Sequence, residues 1–318
     1  MGAKIRVFYA TDVHGSEKCY LKFLNTPSAY KVNTLILGGD ITGKMIVPIV
    51  KRADGTCAAE FLGNQYSLKS DQEVKDLEKK IRFTGYYPYR TTAEETEEMR
   101  RDPAKVDAVF IEVMIDTLRH WVRMAEERLK GKGVKVYITG GNDDRPEIEE
   151  VLKSSDFIID PEGELVSLDG GFEMLSSGWS NPTPWKTPRE CSEEELAAKL
   201  DSMTSKVHDM RNCIFNLHVP PYDCGLDTCP KLDETLKPVY AGSEIMTISS
   251  GSKAVRNAIE KHQPVLGLHG HIHESRGFVK IGRTLCLNPG SEYTEGMLRG
   301  VVVDLDEKGV KNYLLTVG

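Results

Sequence analysis

Thr11-Asp12-Val13-His14-Gly15, Gly38-Gly39-Asp40, Gly140-Gly141-Asn142-Asp143-Asp144, His218-Val219-Pro220-Pro221 and His269-Gly270-His271-Ile272-His273 each follow a short apolar run. The runs, at residues 5–10, 34–37, 134–139, 213–217 and 265–268, read as buried strands. In open α/β sheets, ligands bind beyond the carboxyl ends of the strands. The strand ends therefore deliver Asp12, His14, Asp40, Asn142, His218, His271 and His273 to one rim. Carboxylate and imidazole together suit divalent metals of intermediate hardness. The glycines beside them allow sharp turns and close approach. Any one of these pieces alone is an ordinary turn or a satisfied polar residue; their recurrence in phase with the strands is what points to a site.

Outward from these motifs, apolar periodicity marks helices between the strands. Ser192 with Glu195 and Ser70 with Glu73 form capping boxes ahead of helical spacing. A longer helix is expected over residues 104–130, with Phe110, Val113, Leu118, Trp121, Ala125 and Leu129 on its buried side. Late runs at 277–281, 284–287, 301–305 and 311–317 leave no room for helices between most of them and suggest an antiparallel meander. Alternating strands and helices indicate a layered α/β protein. Residues 1–318 read as one domain, with an insertion at about 44–133 packed on the core.

Composition closes off other classes. The 318 residues carry 41 Lys and Arg against 48 Asp and Glu, a formal net charge of −7. An acidic chain makes a poor general nucleic-acid binder, since the phosphate backbone rewards concentrated positive charge. No apolar run approaches the roughly 20 residues of a membrane helix, so no membrane role is expected. The start, Met1 to Arg6, lacks an apolar segment and a myristoylation pattern, so neither a secretory signal nor lipidation is expected. Seven cysteines without a Cys-x-x-Cys pair suggest a reducing cytoplasm; Cys224 and Cys229 share a loop but are expected as thiols. The run Gly38 to Lys44 nearly spells a phosphate-binding Walker loop, but Met45 replaces the hydroxyl residue and Pro48 would interrupt the helix. Oligomeric state is not legible.

The order Asp-x-His, Gly-Gly-Asp, Gly-Asn-x-Asp, His, Gly-His-x-His, spanning Asp12 to His273, resembles the calcineurin-like metallophosphoesterases. The resemblance implies a four-layer α/β/β/α sandwich with two central mixed sheets and a dinuclear metal centre. It implies one ion held by Asp12, His14, Asp40 and His273, and another by Asp40, Asn142, His218 and His271, with Asp40 shared. The implied activity is phosphoester hydrolysis by in-line attack of a metal-bridging hydroxide on a small phosphoester. Mixed oxygen and nitrogen ligands favour Mn, Fe, Co or Zn over Ca or Mg. An alternative is an inactive fold kept as an interaction module, against which the intact ligand set argues.

One position departs from the pattern. Many members have His where this chain has Asp143, which beside dications should stay ionised and act poorly as an acid. The carboxylate would also repel a dianionic monoester more than a diester, so a phosphodiesterase is expected. Asp143, its neighbour Asp144 and His269 are the catalytic candidates. Arg145, Asn142 and the loop tyrosines Tyr86, Tyr87 and Tyr89 are the candidate substrate contacts.

Overall fold

The computed structural model describes residues 5–318. Alternation along the strand Ile5–Ala10 sets the layering: Val7 and Tyr9 enter one apolar cluster, Phe8 and Ala10 another, because successive strand side chains leave opposite faces. The strand lies within a six-stranded sheet ordered Gly309–Val317, Arg299–Asp306, Ile5–Ala10, Thr34–Gly38, Lys135–Thr139, Ile158–Ile159. A second six-stranded sheet runs Gly277–Ile281, Thr284–Asn288, Leu266–Leu268, Cys213–Leu217, Glu173–Ser177, Leu165–Ser167. Both are mixed with parallel centres; the second has antiparallel edges on both sides, while the first is antiparallel at the hairpin of Arg299–Asp306 and Gly309–Val317 and parallel at Ile158–Ile159.

The sheets meet face to face. Val7, Tyr9, Ile36, Tyr137 and Val303 from the first share one buried cluster with Met174, Ile214, Leu268 and Leu287 from the second. The outer face of the first sheet is covered by helices Glu17–Tyr30, Pro103–Leu129 and Ile148–Lys153. The outer face of the second carries helices Glu193–Thr204 and Lys253–His262. Four layers, α/β/β/α, result. Both expected capping boxes form, at Ser70 with Glu73 and at Ser192 with Glu195.

Two expectations need correction. The late strands are not one meander: Gly277–Ile281 and Thr284–Asn288 form a hairpin in the second sheet, while Arg299–Asp306 and Gly309–Val317 form another in the first. Spacing identifies each hairpin, but the turn at 289–298 carries the chain between sheets, which local pattern does not reveal. The stretch after Lys44 also divides. Strands Asn64–Leu68, Cys57–Phe61, Ile46–Lys51 and Tyr87–Thr92 build a small sheet with its own apolar cluster against helix Asp71–Phe83. Helix Pro103–Leu129 instead buries Met114, Leu118 and Trp121 in the outer core of the first sheet.

Trp121 stacks on Tyr20 at 4.2 Å and 6°, and the Tyr20 hydroxyl donates to the Trp121 carbonyl at 3.0 Å. This contact joins two helices over the sheet, so Trp121→Ala leaves a large void. We expect it to lower unfolding free energy by about 3–5 kcal/mol, measured by urea titration; a loss below about 1 kcal/mol would mean the layer repacks.

Candidate metal centre

Strand ends from both sheets meet at one edge of the sandwich. Ile5–Ala10, Thr34–Gly38 and Lys135–Thr139 of the first sheet lead into Asp12 and His14, Asp40, and Asn142; Cys213–Leu217 and Leu266–Leu268 of the second lead into His218, His271 and His273. The rim is thus shared between sheets rather than lying along one. Asp12, His14 and His273 each offer an atom within 4.8 Å of the others, and so do Asp40, His218 and His271. His14, Asp40 and Asp143 form a third such group. Asp40 Oδ2 lies between the first two sets, 3.7 Å from His14 Nε2 and 3.4 Å from His218 Nε2.

The backbone is bent to reach this arrangement. Asp12, His14, Asp40 and His271 all have positive φ, between 38° and 66°, a left-handed region costly for residues with a Cβ and concentrated at functional sites. Close approach explains two of the glycines. A Cβ on Gly141 would strike the Asp40 carboxylate and backbone, and one on Gly270 would strike Thr11 and the Asp12 carboxylate.

Hydrogen bonds aim the rings. His218 Nδ1 donates to the Gly38 carbonyl at 3.0 Å, leaving a buried Nε2 without a hydrogen-bond partner, facing Asp40 and Asp12. His14 Nε2 and His273 Nε2 approach to 3.2 Å, and His273 Nε2 lies 3.3 Å from Asp12 Oδ1. Asn142 Oδ1 meets His271 Nδ1 at 2.6 Å, and Asn142 Nδ2 donates to Thr187 Oγ1 at 2.8 Å. Converging imidazole nitrogens and carboxylate oxygens, some with no other partner, are what a pair of divalent ions needs. The donors fit.

Electrostatics agree. Burial would raise Asp12, but His218 and the His273 contact outweigh it and hold Asp12 at about 2. Burial opposes charge on His218, yet Asp40 and Asp12 push it up to about 10. Burial opposes charge on His273 too, but the Asp12 contact raises it. Burial lowers His14 to about 3 and His271 to about 4. Carboxylates and imidazoles thus offset part of one another's burial cost.

The other sequence candidates separate. Asp143 is on the rim, its N–H donating to Asp40 Oδ1 at 2.9 Å and its carboxylate paired with Lys44 at 2.5 Å. Burial and the Asp40 charge raise its pKa, with Lys44 acting the other way. Asp144 is corrected: it is fully buried and accepts from Ile41 N, Thr42 N, Thr42 Oγ1 and Gly141 N, bracing the Asp40 loop against the 141 turn. His269 is also corrected. Its ring lies back over Gly267 with Nδ1 on the Leu217 carbonyl at 2.8 Å, and burial lowers it to about 4, so it holds strand ends together and does not donate to substrate. Arg145 is spent on Asp107 and Glu147. Tyr87 is buried with its phenol oxygen accepting from Gly43 N at 2.7 Å, and Tyr89 donates to Glu95 at 2.8 Å. Neither is a substrate contact. Tyr86 is half-buried, edge-on to Phe61.

Sequence reasoning missed Lys44 as a site residue, although it had singled out the Gly38 to Lys44 run. It missed Tyr293, whose ring lies 4.7 Å from that of His14 and 6.1 Å from that of His273; it sits in a turn without a motif. It also missed the brace on Asn142: Thr187 Oγ1 donates to Glu190 at 2.6 Å, and Arg189 N donates to the Asn142 carbonyl at 3.1 Å.

No family model matches the chain. The uncharacterized protein MJ1162 of Methanocaldococcus jannaschii is 32% identical over 158 residues, which span 49% of this chain and 64% of that one. The match thus covers less than two thirds of that relative's length. One crystal structure aligns at 17% identity and TM-score 0.59, covering 100% of this chain and 99% of the other. TT1561 of Thermus thermophilus aligns at 12% and 0.53, covering 99% and 98%. What these solved structures share with this chain is the fold. That fold is the double-sheet sandwich that a resemblance to the calcineurin-like metallophosphoesterases implies.

Asp40 and Asp12 raise the pKa of His218, and Asp12 that of His273, so an ion binding these nitrogens competes with protons. Uptake should release protons, and affinity should rise about tenfold per pH unit for each proton displaced. Calorimetric titration of Mn²⁺ at about pH 6.5 and about pH 8, in buffers of different ionisation enthalpy, checks this; affinity flat across that range would contradict it.

Proposed function

We propose that this chain is a metal-dependent phosphoester hydrolase that holds two divalent ions between its sheets. The observation that carries this is the position of Asp40 between two donor sets, Asp12, His14 and His273 on one side, His218, His271 and Asn142 on the other. A shared carboxylate is what two like-charged ions need in order to sit close together. Once bound, such a pair polarises phosphoryl oxygens and lowers the pKa of water enough to supply hydroxide near neutral pH. Mixed nitrogen and oxygen donors favour Mn, Fe, Co or Zn. An interaction module would have no use for four strained ligand backbones and a fully aimed donor set.

The chain's own residues would divide the work. Asp12 and Asp40 offset part of the dication charge. The glycines at 141 and 270 let the two carboxylates approach the turns that carry the other ligands. Asp144 and the Thr187–Glu190 brace keep the Asp40 loop and Asn142 aimed.

The favoured substrate class is a small phosphodiester. An unpaired Asp143 would disfavour a dianion by direct repulsion, but Lys44 cancels that charge. Selectivity would instead come from how little net positive charge this part of the rim adds: Asp143 offsets the charge of Lys44, and Asp107 and Glu147 that of Arg145. The second charge of a monoester would meet hydrogen-bond donors there but little additional net positive charge. All seven cysteines are free, which suits a reducing cytoplasm. No helix among the described residues is long and apolar enough to cross a membrane, and the acidic surface suits a small substrate better than a nucleic acid.

Protein loaded with Mn²⁺ should approach two equivalents by elemental analysis, and Asp40→Ala should lower both metal content and turnover by about 100-fold or more. A chain that stays metal-free in millimolar Mn²⁺ would overturn the proposal. With bis(p-nitrophenyl) phosphate and p-nitrophenyl phosphate compared, kcat/KM should favour the diester. Asp143→Asn, which leaves Lys44 uncancelled, should move the ratio several-fold toward the monoester; a wild-type preference of about tenfold for the monoester would refute the diester assignment.

A further inference from the structure

We propose that Lys44 is the residue that contacts the substrate phosphoryl group, held for that purpose by Asp143; this rests on the hydrolase reading above. Lys44 Nζ lies 2.5 Å from Asp143 Oδ2. That carboxylate oxygen is 4.0 Å from His14 Nδ1, and the Asp143 N–H is bonded to Asp40 Oδ1. The ammonium is therefore tethered, through Asp143, beside His14 and the shared Asp40, and Asp143 is the residue that stands where the resembling family commonly has His. The Lys44 side chain is 45% exposed and that of Asp143 23%, so the pair faces solvent at the mouth of the site. An ammonium has three N–H donors. One occupied by Asp143 leaves two for phosphoryl oxygens.

The backbone around Lys44 is fixed in a way an ordinary surface lysine is not. Gly43 N donates to the Tyr87 phenol oxygen at 2.7 Å, and Tyr87 N donates to the Met45 carbonyl at 2.9 Å. One buried tyrosine thus grips the chain on both sides of Lys44. Gly43 also lies against the Gly85 carbonyl and against Gly15, at the turn that follows His14. On the C-terminal side the chain enters the strand Ile46–Lys51, paired in parallel with Tyr87–Thr92. The Walker-like spelling of 38–44 thus has a different outcome here: a strand, not a helix, follows the lysine, and its charge is set against a dinuclear rim. The small sheet after Lys44 acts on the site through this grip, with Tyr87 and Asp143 as positioning residues and Lys44 as the contacting one.

A charge-assisted bond from Lys44 to a phosphoryl oxygen would strengthen as negative charge builds during displacement. It would act on binding and on turnover while leaving the metal ligands untouched. Inorganic phosphate is the probe that separates these effects. With Mn²⁺-loaded protein, Lys44→Met should weaken orthophosphate binding, measured by calorimetry, about tenfold or more, while metal content stays at that of wild type. Lys44→Arg keeps the charge and should recover binding to within a few-fold. On bis(p-nitrophenyl) phosphate, Asp143→Asn should lower kcat more than it raises KM, because it frees the ammonium without removing it. If Lys44→Met binds phosphate within twofold of wild type with full metal content, the Lys44 assignment fails and the hydrolase reading stands. If Lys44→Met and Lys44→Arg lose binding equally, the lysine acts through packing and the assignment fails as well. If wild-type protein takes up no metal, both fall together.

Discussion

Asp12 and Asp40 are buried acids a few ångströms from the same imidazoles, and much of the rim exists to make that tolerable. Two carboxylates in a low-dielectric pocket repel each other and lose hydration. Asp40 and Asp12 raise the pKa of His218, and Asp12 that of His273, which favours imidazole charge opposite the carboxylates. The donor geometry suits a stronger compensation, because the His218 Nε2, without a hydrogen-bond partner, already points at both carboxylates. Four ligand residues accept left-handed backbone to achieve it. Such strain persists only where surrounding structure over-determines the conformation. Here Asp144 does much of that, binding four donors from the loops on either side.

Much of this was legible in the amino-acid order, for a physical reason. Ligands that must meet at the end of a sheet have to follow strands, so Asp12, Asp40, Asn142, His218 and His271 each appear just past an apolar run. Helix caps were equally readable, since Ser70 and Ser192 bond within their own turn. What was not legible depends on contacts made at long range. The division of five strands between two sheets is decided by face-to-face packing, as in the cluster of Tyr9 with Ile214 and Leu268. Asp144 and Asp143 are adjacent and chemically identical, yet one is a buried brace and the other a rim residue. Their difference lies in partners about a hundred residues away. Tyr87 is the same case: a tyrosine in a glycine-flanked loop suggests a surface wall, but its phenol is consumed by Gly43.

The Lys44–Asp143 pair alters the electrostatic logic of the site. A carboxylate considered alone would subtract from the positive field offered to substrate. Paired at 2.5 Å with an ammonium, it leaves net charge nearly unchanged and adds a dipole with donors at the open end. In the proposed reading, Asp143 acts together with Lys44 from a different loop, so the position in the Gly-Asn-x-Asp motif shows only half of the pair.

The shared rim has a consequence for how the protein comes into being during synthesis. Asp12 leaves the ribosome long before His273, but its strand is flanked by Thr34–Gly38 on one side and by Arg299–Asp306 on the other. His273, its partner in the first donor set, arrives 261 residues later by their positions in the chain. Closing so long a loop is slow and must precede any reward from the contact. A growing chain therefore carries exposed acids and histidines with no finished cage until His273 and the strand Arg299–Asp306 have emerged. The proposed chelate is complete only after both sheets have docked, so any metal uptake at this rim follows that docking.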